Sequence, residues 1–217
     1  MRRIVCLPGV GFHFSKHNNL IKSLEKSFPN AEIEYFDWKH GNIFPELSWK
    51  DSTYHNIIRR FSAEIMFDYN QAIKYAFQTM VPDADLYIGH SAGSILALAQ
   101  FNKPCIIFGS PAVISENSWF NDKVNYIINS KVEQTGIVRP VYNIINKYDI
   151  LSYPINFDNI ENVTYKKHYW NPIAAHLDYW KNPDVIKMVE NKIREWDVNI
   201  LEKRISVCIE KRKNNPN

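Results

Sequence analysis

The sequence predicts an α/β fold: a three-layer αβα sandwich around a mostly parallel sheet of about six strands. Two features carry that prediction. Short apolar runs alternate with stretches of helical periodicity, the pattern of a sheet covered on both faces. The chain also begins with a strand–helix–strand unit.

Ile4-Val5-Cys6-Leu7 is an apolar run ended by Pro8-Gly9, and it reads as a buried strand. Gly9 to His13 makes a flexible turn. Leu20, Ile21, Leu24 and Phe28 fall at helical spacing, and Pro29 closes that helix. Ile33, Tyr35 and Phe36 mark a second strand within 31–38. Residues 39–52 read as a loop. Ile57, Phe61, Ile65, Tyr69, Ile73 and Phe77 recur every four residues, which predicts a long core-packing helix ended by Pro82-Asp83. Leu86-Tyr87-Ile88 is a short strand, and an Ala- and Leu-rich helix follows over 92–101. Pro104 to Gly109 is another buried strand, and 117–130 is helical or irregular. A strand is expected over 137–143, and Pro140 inside it predicts a place near the sheet edge. Val163 to Lys167 is the last strand. Pro183 opens a final helix with Val185, Met188, Val189 and Ile193 on one face.

A chain of 217 residues can bury one sizeable core. The expected division is one domain over 1–198 and a basic tail or helix extension over 199–217. Hydrophobic residues at 45% and charged residues at 23% mark a globular chain rather than a disordered one. A net charge of +3 gives no argument for nucleic acid as a partner. Lys203, Arg204, Lys211, Arg212 and Lys213 put positive charge in the tail. That run reads as a solvated helix end, with weak contact to an anionic surface as the alternative. Cys6, Cys105 and Cys208 lack metal spacing, and an odd count favours a reducing compartment. No stretch approaches the roughly 20 apolar residues of a transmembrane segment, and the run 4–7 is too short for a signal-peptide core. The expected location is cytoplasmic. No metal cluster stands out, and Gly9-Val10-Gly11 lacks the third glycine of a dinucleotide fingerprint, so no cofactor is expected.

The chemistry concentrates in Gly89-His90-Ser91-Ala92-Gly93, a G-x-S-x-G pattern between an apolar strand and a helix former. A serine on a sharp strand-to-helix turn sits at strained backbone angles with its hydroxyl exposed. Side chains at 89 and 93 would collide with neighbouring backbone, which explains both glycines. The new helix aims free N–H groups at the site. Ser91 is therefore the candidate nucleophile, and it needs a base and an orienting acid. His90 adjoins it and reads as structural. His176 lies in a loop between the last strand and the last helix and is the preferred base, with His168 as the alternative. Asp149 is the preferred acid and Asp158 its rival; Asp178, two residues from His176, reads as flanking the last helix. Oxyanion donors are expected from the N–H of Ala92 and from the first turn, at Val10 or Gly11 with Phe12 as a further option.

With Ser91, Asp149 and His176 in that order, the chain resembles the α/β-hydrolase superfamily. Residues 89–93 match its nucleophile elbow as found in lipases and esterases. Phe108-Gly109-Ser110-Pro111 resembles the F-G-x-P stretch of class 3 lipases, and His176-Leu177-Asp178-Tyr179-Trp180 resembles the H-x-x-Y surroundings of their catalytic histidine. The resemblance spans roughly 4–196. Two leading strands of the family are absent and little length is left for a cap, so the implied form is a minimal one, closer to cutinases and small esterases than to large lipases. It implies a serine hydrolase acting on a small-molecule or lipid-like carboxylic ester or thioester through an acyl-enzyme. Amidase or peptidase chemistry uses the same triad, and a non-catalytic interaction module on the scaffold is the rival from another class. Phe12, His13, Trp119, Phe120, Tyr169, Trp170, Tyr179 and Trp180 are candidates either for an acyl pocket or for ordinary packing.

Overall fold

The computed structural model describes residues 1–9, 18–36, 81–100, 103–110, 139–155, 159–170 and 172–197. The expected loop 39–52, the long helix before Pro82, the stretch 117–130 and the tail 199–217 lie outside the described residues.

Six strands form one sheet: β1 (Arg3–Leu7), β2 (Glu32–Tyr35), β3 (Leu86–His90), β4 (Cys105–Phe108), β5 (Val141–Asn146) and β6 (Ile160–Tyr165). Their order is β2-β1-β3-β4-β5-β6, and every neighbouring pair is parallel. This is the strand order of the α/β-hydrolase fold. The described helices are α1 (Asn19–Ser27), α2 (Ala92–Leu98), α3 (Pro172–Leu177) and α4 over 183–197.

The layers follow from handedness. From β1 the chain moves outward to β2 through α1, and from β3 it moves the other way to β4 through α2. Right-handed crossovers in opposite directions put their helices on opposite faces. Side chains along the strands agree, since they alternate between faces. Ile4, Cys6, Ile88 and Phe108 share a cluster with Leu20 and Leu24 of α1 and with Val185 and Val189 of α4. On the other face, a Cβ added to Gly89 would lie 2.9 Å from Ala97 Cβ of α2. Asn18 caps α1 by accepting from the Leu20 N–H at 2.9 Å. Asn182 does the same for α4, accepting from the Asp184 N–H at 3.0 Å, with Pro183 just inside the helix.

The expected edge strand over 137–143 is corrected. The strand is Val141–Asn146, it lies between β4 and β6, and all six of its residues are buried. Pro140 sits just outside it and needs no donor there; its carbonyl accepts from the Cys105 N–H at 3.2 Å. The last strand begins earlier than expected, at Ile160, and the helix after the elbow ends at Leu98. No helix among the described residues is long and apolar enough to cross a membrane.

Candidate active site

β1 and β3 are neighbours whose connections leave in opposite directions. Such a switch point opens a crevice beyond the carboxyl ends of the two strands, where folds of this kind hold their ligands. Gly9 follows β1 there, and Ser91 follows β3.

Ser91 has φ 52° and ψ −126°, and it is the only non-glycine residue with positive φ among the described residues. Such a conformation costs about 1–3 kcal/mol and persists only where the surroundings enforce it. The Ser91 N–H donates to the Phe108 carbonyl at 3.1 Å, and the Ser91 carbonyl accepts from the Ser94 N–H at 3.0 Å. Ser94 Oγ adds a second bond to that carbonyl at 2.5 Å and lies 2.7 Å from Ser110 Oγ. Three glycines make room for the turn. A Cβ on Gly9 would lie 2.5 Å from Ser91 Cβ, one on Gly89 2.7 Å from the Gly93 carbonyl oxygen, and one on Gly93 2.2 Å from that of Leu7. The expected steric role of Gly89 and Gly93 is thus what the backbone requires.

Asp149 follows β5 in a turn closed by its N–H donating to the Asn146 carbonyl at 3.0 Å. Its Oδ1 accepts from the Leu151 N–H at 2.9 Å. Its Oδ2 lies 2.9 Å from His176 Nδ1, and both residues are 4% exposed. An ionised carboxylate only accepts, so the proton between them belongs to Nδ1. That leaves Nε2 of His176 as the basic nitrogen. The Tyr179 hydroxyl donates to the same Oδ2 at 2.9 Å and accepts from the Asn146 N–H at 2.9 Å.

His90 ties this pair to the elbow. Its Nε2 lies 2.9 Å from the His176 carbonyl oxygen, and the two imidazole centroids are 4.9 Å apart. A carbonyl cannot donate, so His90 carries a proton on Nε2. The side chain is fully buried among Phe108, Tyr179 and Trp180. Since His90 directly precedes Ser91, the serine turn and the His176–Asp149 pair share one end of the sheet.

The other expected residues divide cleanly. Ala92 begins α2. His168 is exposed and packs edge-on against Tyr148 at 5.0 Å. Asp178 pairs with Lys167 Nζ at 2.9 Å and accepts from the Tyr169 hydroxyl. Tyr179 and Trp180 are fully buried in the core, whereas Trp170 is 87% exposed. Val10, Gly11, Phe12, His13, Trp119, Phe120 and Asp158 lie outside the described residues. Sequence reasoning missed two contacts, that of His90 with the His176 carbonyl and that of Tyr179 with Asp149. Strand alternation from Ile88 could have pointed to the first. The second carried no local signal, since Tyr179 lies beyond the end of α3 and Asp149 is distant in sequence.

No protein-family model matches the chain, and no curated protein does. Solved structures show remote likeness. The peroxisomal α/β-hydrolase Lpx1 of Saccharomyces cerevisiae is 14% identical with a TM-score of 0.45, over 89% of this chain and 76% of that one. The NocB thioesterase domain, in covalent complex with a fluorophosphonate nocardicin G analogue, is 10% identical with a TM-score of 0.40, over 89% and 93%. RedJ, with a polyethylene glycol molecule in its active site, is 9% identical with a TM-score of 0.39, over 88% and 90%. Likeness at this level carries no argument about chemistry.

Proposed function

We propose that the chain is a serine hydrolase that cleaves a carboxylic ester or thioester through an acyl-enzyme. The observation that carries this reading is Ser91: a non-glycine residue at φ 52°, on the turn between a buried strand and a helix, at the switch point of the sheet. The buried His176–Asp149 pair at the same sheet end supports it.

In this reading Ser91 Oγ attacks the carbonyl carbon while His176 Nε2 takes its proton. Asp149 holds the imidazole in the tautomer that leaves Nε2 free and stabilises the imidazolium. The N–H of Ala92 and one from residues 10–12 bind the developing oxyanion, each such donor being worth about 3 kcal/mol. His176 then protonates the leaving alkoxide or thiolate. Water, deprotonated by the same imidazole, hydrolyses the acyl-Ser91 ester and restores the enzyme. Ser152 is also buried near the pair, but it lies on the turn of Asp149 itself, its N–H donating to the Asp149 carbonyl at 3.2 Å, and it lacks the elbow backbone. The substrate is a small-molecule or lipid-like ester, and the odd cysteine count without metal spacing favours work in the cytoplasm.

A fluorophosphonate probe tests the assignment. The protein is expected to be labelled at Ser91, with labelling abolished in Ser91→Ala and retained in Ser152→Ala. Labelling that survives in Ser91→Ala, or a folded wild type that takes no label and hydrolyses no p-nitrophenyl ester from acetate to palmitate, defeats the reading.

A further inference from the structure

We propose that Tyr179 is a positioning residue of the triad, its hydroxyl holding Asp149 Oδ2 in place for His176. The proposal rests on the serine-hydrolase reading above and deepens it. Two contacts of the Tyr179 hydroxyl have a fixed direction. The Asn146 N–H can only donate, so the Tyr179 oxygen accepts from it at 2.9 Å. The one hydroxyl proton is then available for Asp149 Oδ2, also at 2.9 Å. Oδ2 therefore has two donors, Tyr179 and His176 Nδ1, and the relay is anchored on the backbone at the end of β5.

Packing accounts for the ring but not for the hydroxyl. The Tyr179 ring stacks on Phe108 at 5.5 Å and meets the edge of Tyr165 at 5.9 Å, contacts a phenylalanine would keep. Around it stand His90 of β3, Tyr165 of β6, and Asp149 and the Ser152 hydroxyl after β5, with His176 of α3 beyond the shared carboxylate. Burial first, and then the Asp149 charge, raise the Tyr179 hydroxyl well above its ordinary range, so it stays protonated throughout a working pH range.

Removing this donor concentrates negative charge on the carboxylate. That favours the imidazolium, so the acid limb of kcat/KM moves to higher pH. It also frees Asp149 to shift, which lowers kcat and leaves KM unchanged. Tyr179→Phe is expected to lose about tenfold in kcat, in line with a hydrogen bond to a charged group. Replacement of Tyr179 by 3-fluorotyrosine keeps the volume, strengthens the donor and should move the acid limb the opposite way. That second variant decides the matter should Tyr179→Phe fold poorly. Wild-type kcat and an unmoved acid limb in Tyr179→Phe, or an unmoved limb in the fluorotyrosine protein, overturn the proposal. Because wild-type labelling at Ser91 is measured alongside, a failure here is distinct from a failure of the hydrolase reading.

Discussion

Gly93→Ala sets two effects of opposite sign against each other. In a helix interior, alanine is favoured over glycine by about 1 kcal/mol. Position 93 is the second residue of α2, so part of that gain applies. Against it stands the backbone of β1. The new Cβ would lie 2.2 Å from the Leu7 oxygen and 2.5 Å from the Pro8 oxygen, where ordinary contact begins at 3.4 Å. Neither neighbour is a side-chain end that could swing away, so α2 and the β1 turn must part by roughly 1 Å. Overpacking of this kind costs about 1–3 kcal/mol, which outweighs the propensity gain. The same displacement moves the Ala92 N–H, a donor of the proposed oxyanion site, relative to Leu7 and Pro8. A misplacement of about 1 Å can cost on the order of 100-fold in rate. Urea unfolding should show a lower midpoint at unchanged slope, and fluorophosphonate labelling of the folded variant should slow by about that factor. A Gly93→Ala protein as stable as the wild type and labelled at the same rate would refute the claim that close approach to β1 sets the elbow.

Two further expectations concern titrating groups. Burial pushes the thiols of Cys6 and Cys105 up to about 12, so at pH 8 only about one in ten thousand is thiolate. In a Cys208→Ser background, native protein should take up no iodoacetamide in an hour and should react fully in denaturant; rapid native-state alkylation would contradict the buried placement. Asp85 accepts from the backbone N–H groups of Arg2 and Arg3 at 2.7 and 3.1 Å. Burial alone would raise its carboxyl, but these donors, with Lys103 and the N-terminal charge, hold it below its ordinary value. A depressed folded value adds stability that is present above about pH 4 and lost as the pH falls further through that value. Asp85→Asn should therefore flatten the stability curve at its acid end, and an unchanged acid slope counts against the contact.

What the sequence revealed depended on how local the physics was. Ile4 to Leu7 and Cys105 to Phe108 were readable because a parallel strand covered on both faces is apolar at every position. The elbow was readable because its sterics demand glycine at fixed offsets from Ser91. β5 was misplaced for a tertiary reason. It carries Asn143 and Asn146, polar residues that look like strand ends. Asn143 Nδ2 donates to the Tyr153 carbonyl at 3.0 Å and to Asn162 Oδ1 at 2.9 Å, so it is satisfied inside the sheet by residues distant in sequence. Tyr179 and Trp180 were equally ambiguous. Their burial is decided by the turn between α3 and α4, which folds them onto Phe108.

The strain at Ser91 and the burial of His90 are two sides of one device. A residue at positive φ needs rigid neighbours, and rigidity in a protein interior comes from close packing. His90 supplies it directly beneath the serine. A Cβ on Gly9 would lie 3.2 Å from its Nδ1, and one on Gly109 3.1 Å from its Nε2. The turns after β1 and β4 are thus closed against the same imidazole that bonds the His176 carbonyl. Gly109 itself sits at φ 56°, so a side chain there would be both strained and tightly packed. The position of His176 relative to Ser91 is consequently set from two sides, by His90 through its backbone and by Asp149 through its ring. His90 ends β3, and Asp149 lies in the turn that follows β5 of the same sheet. For this chain, the placement of His176 therefore rests on the end of β3 and on the turn that follows β5.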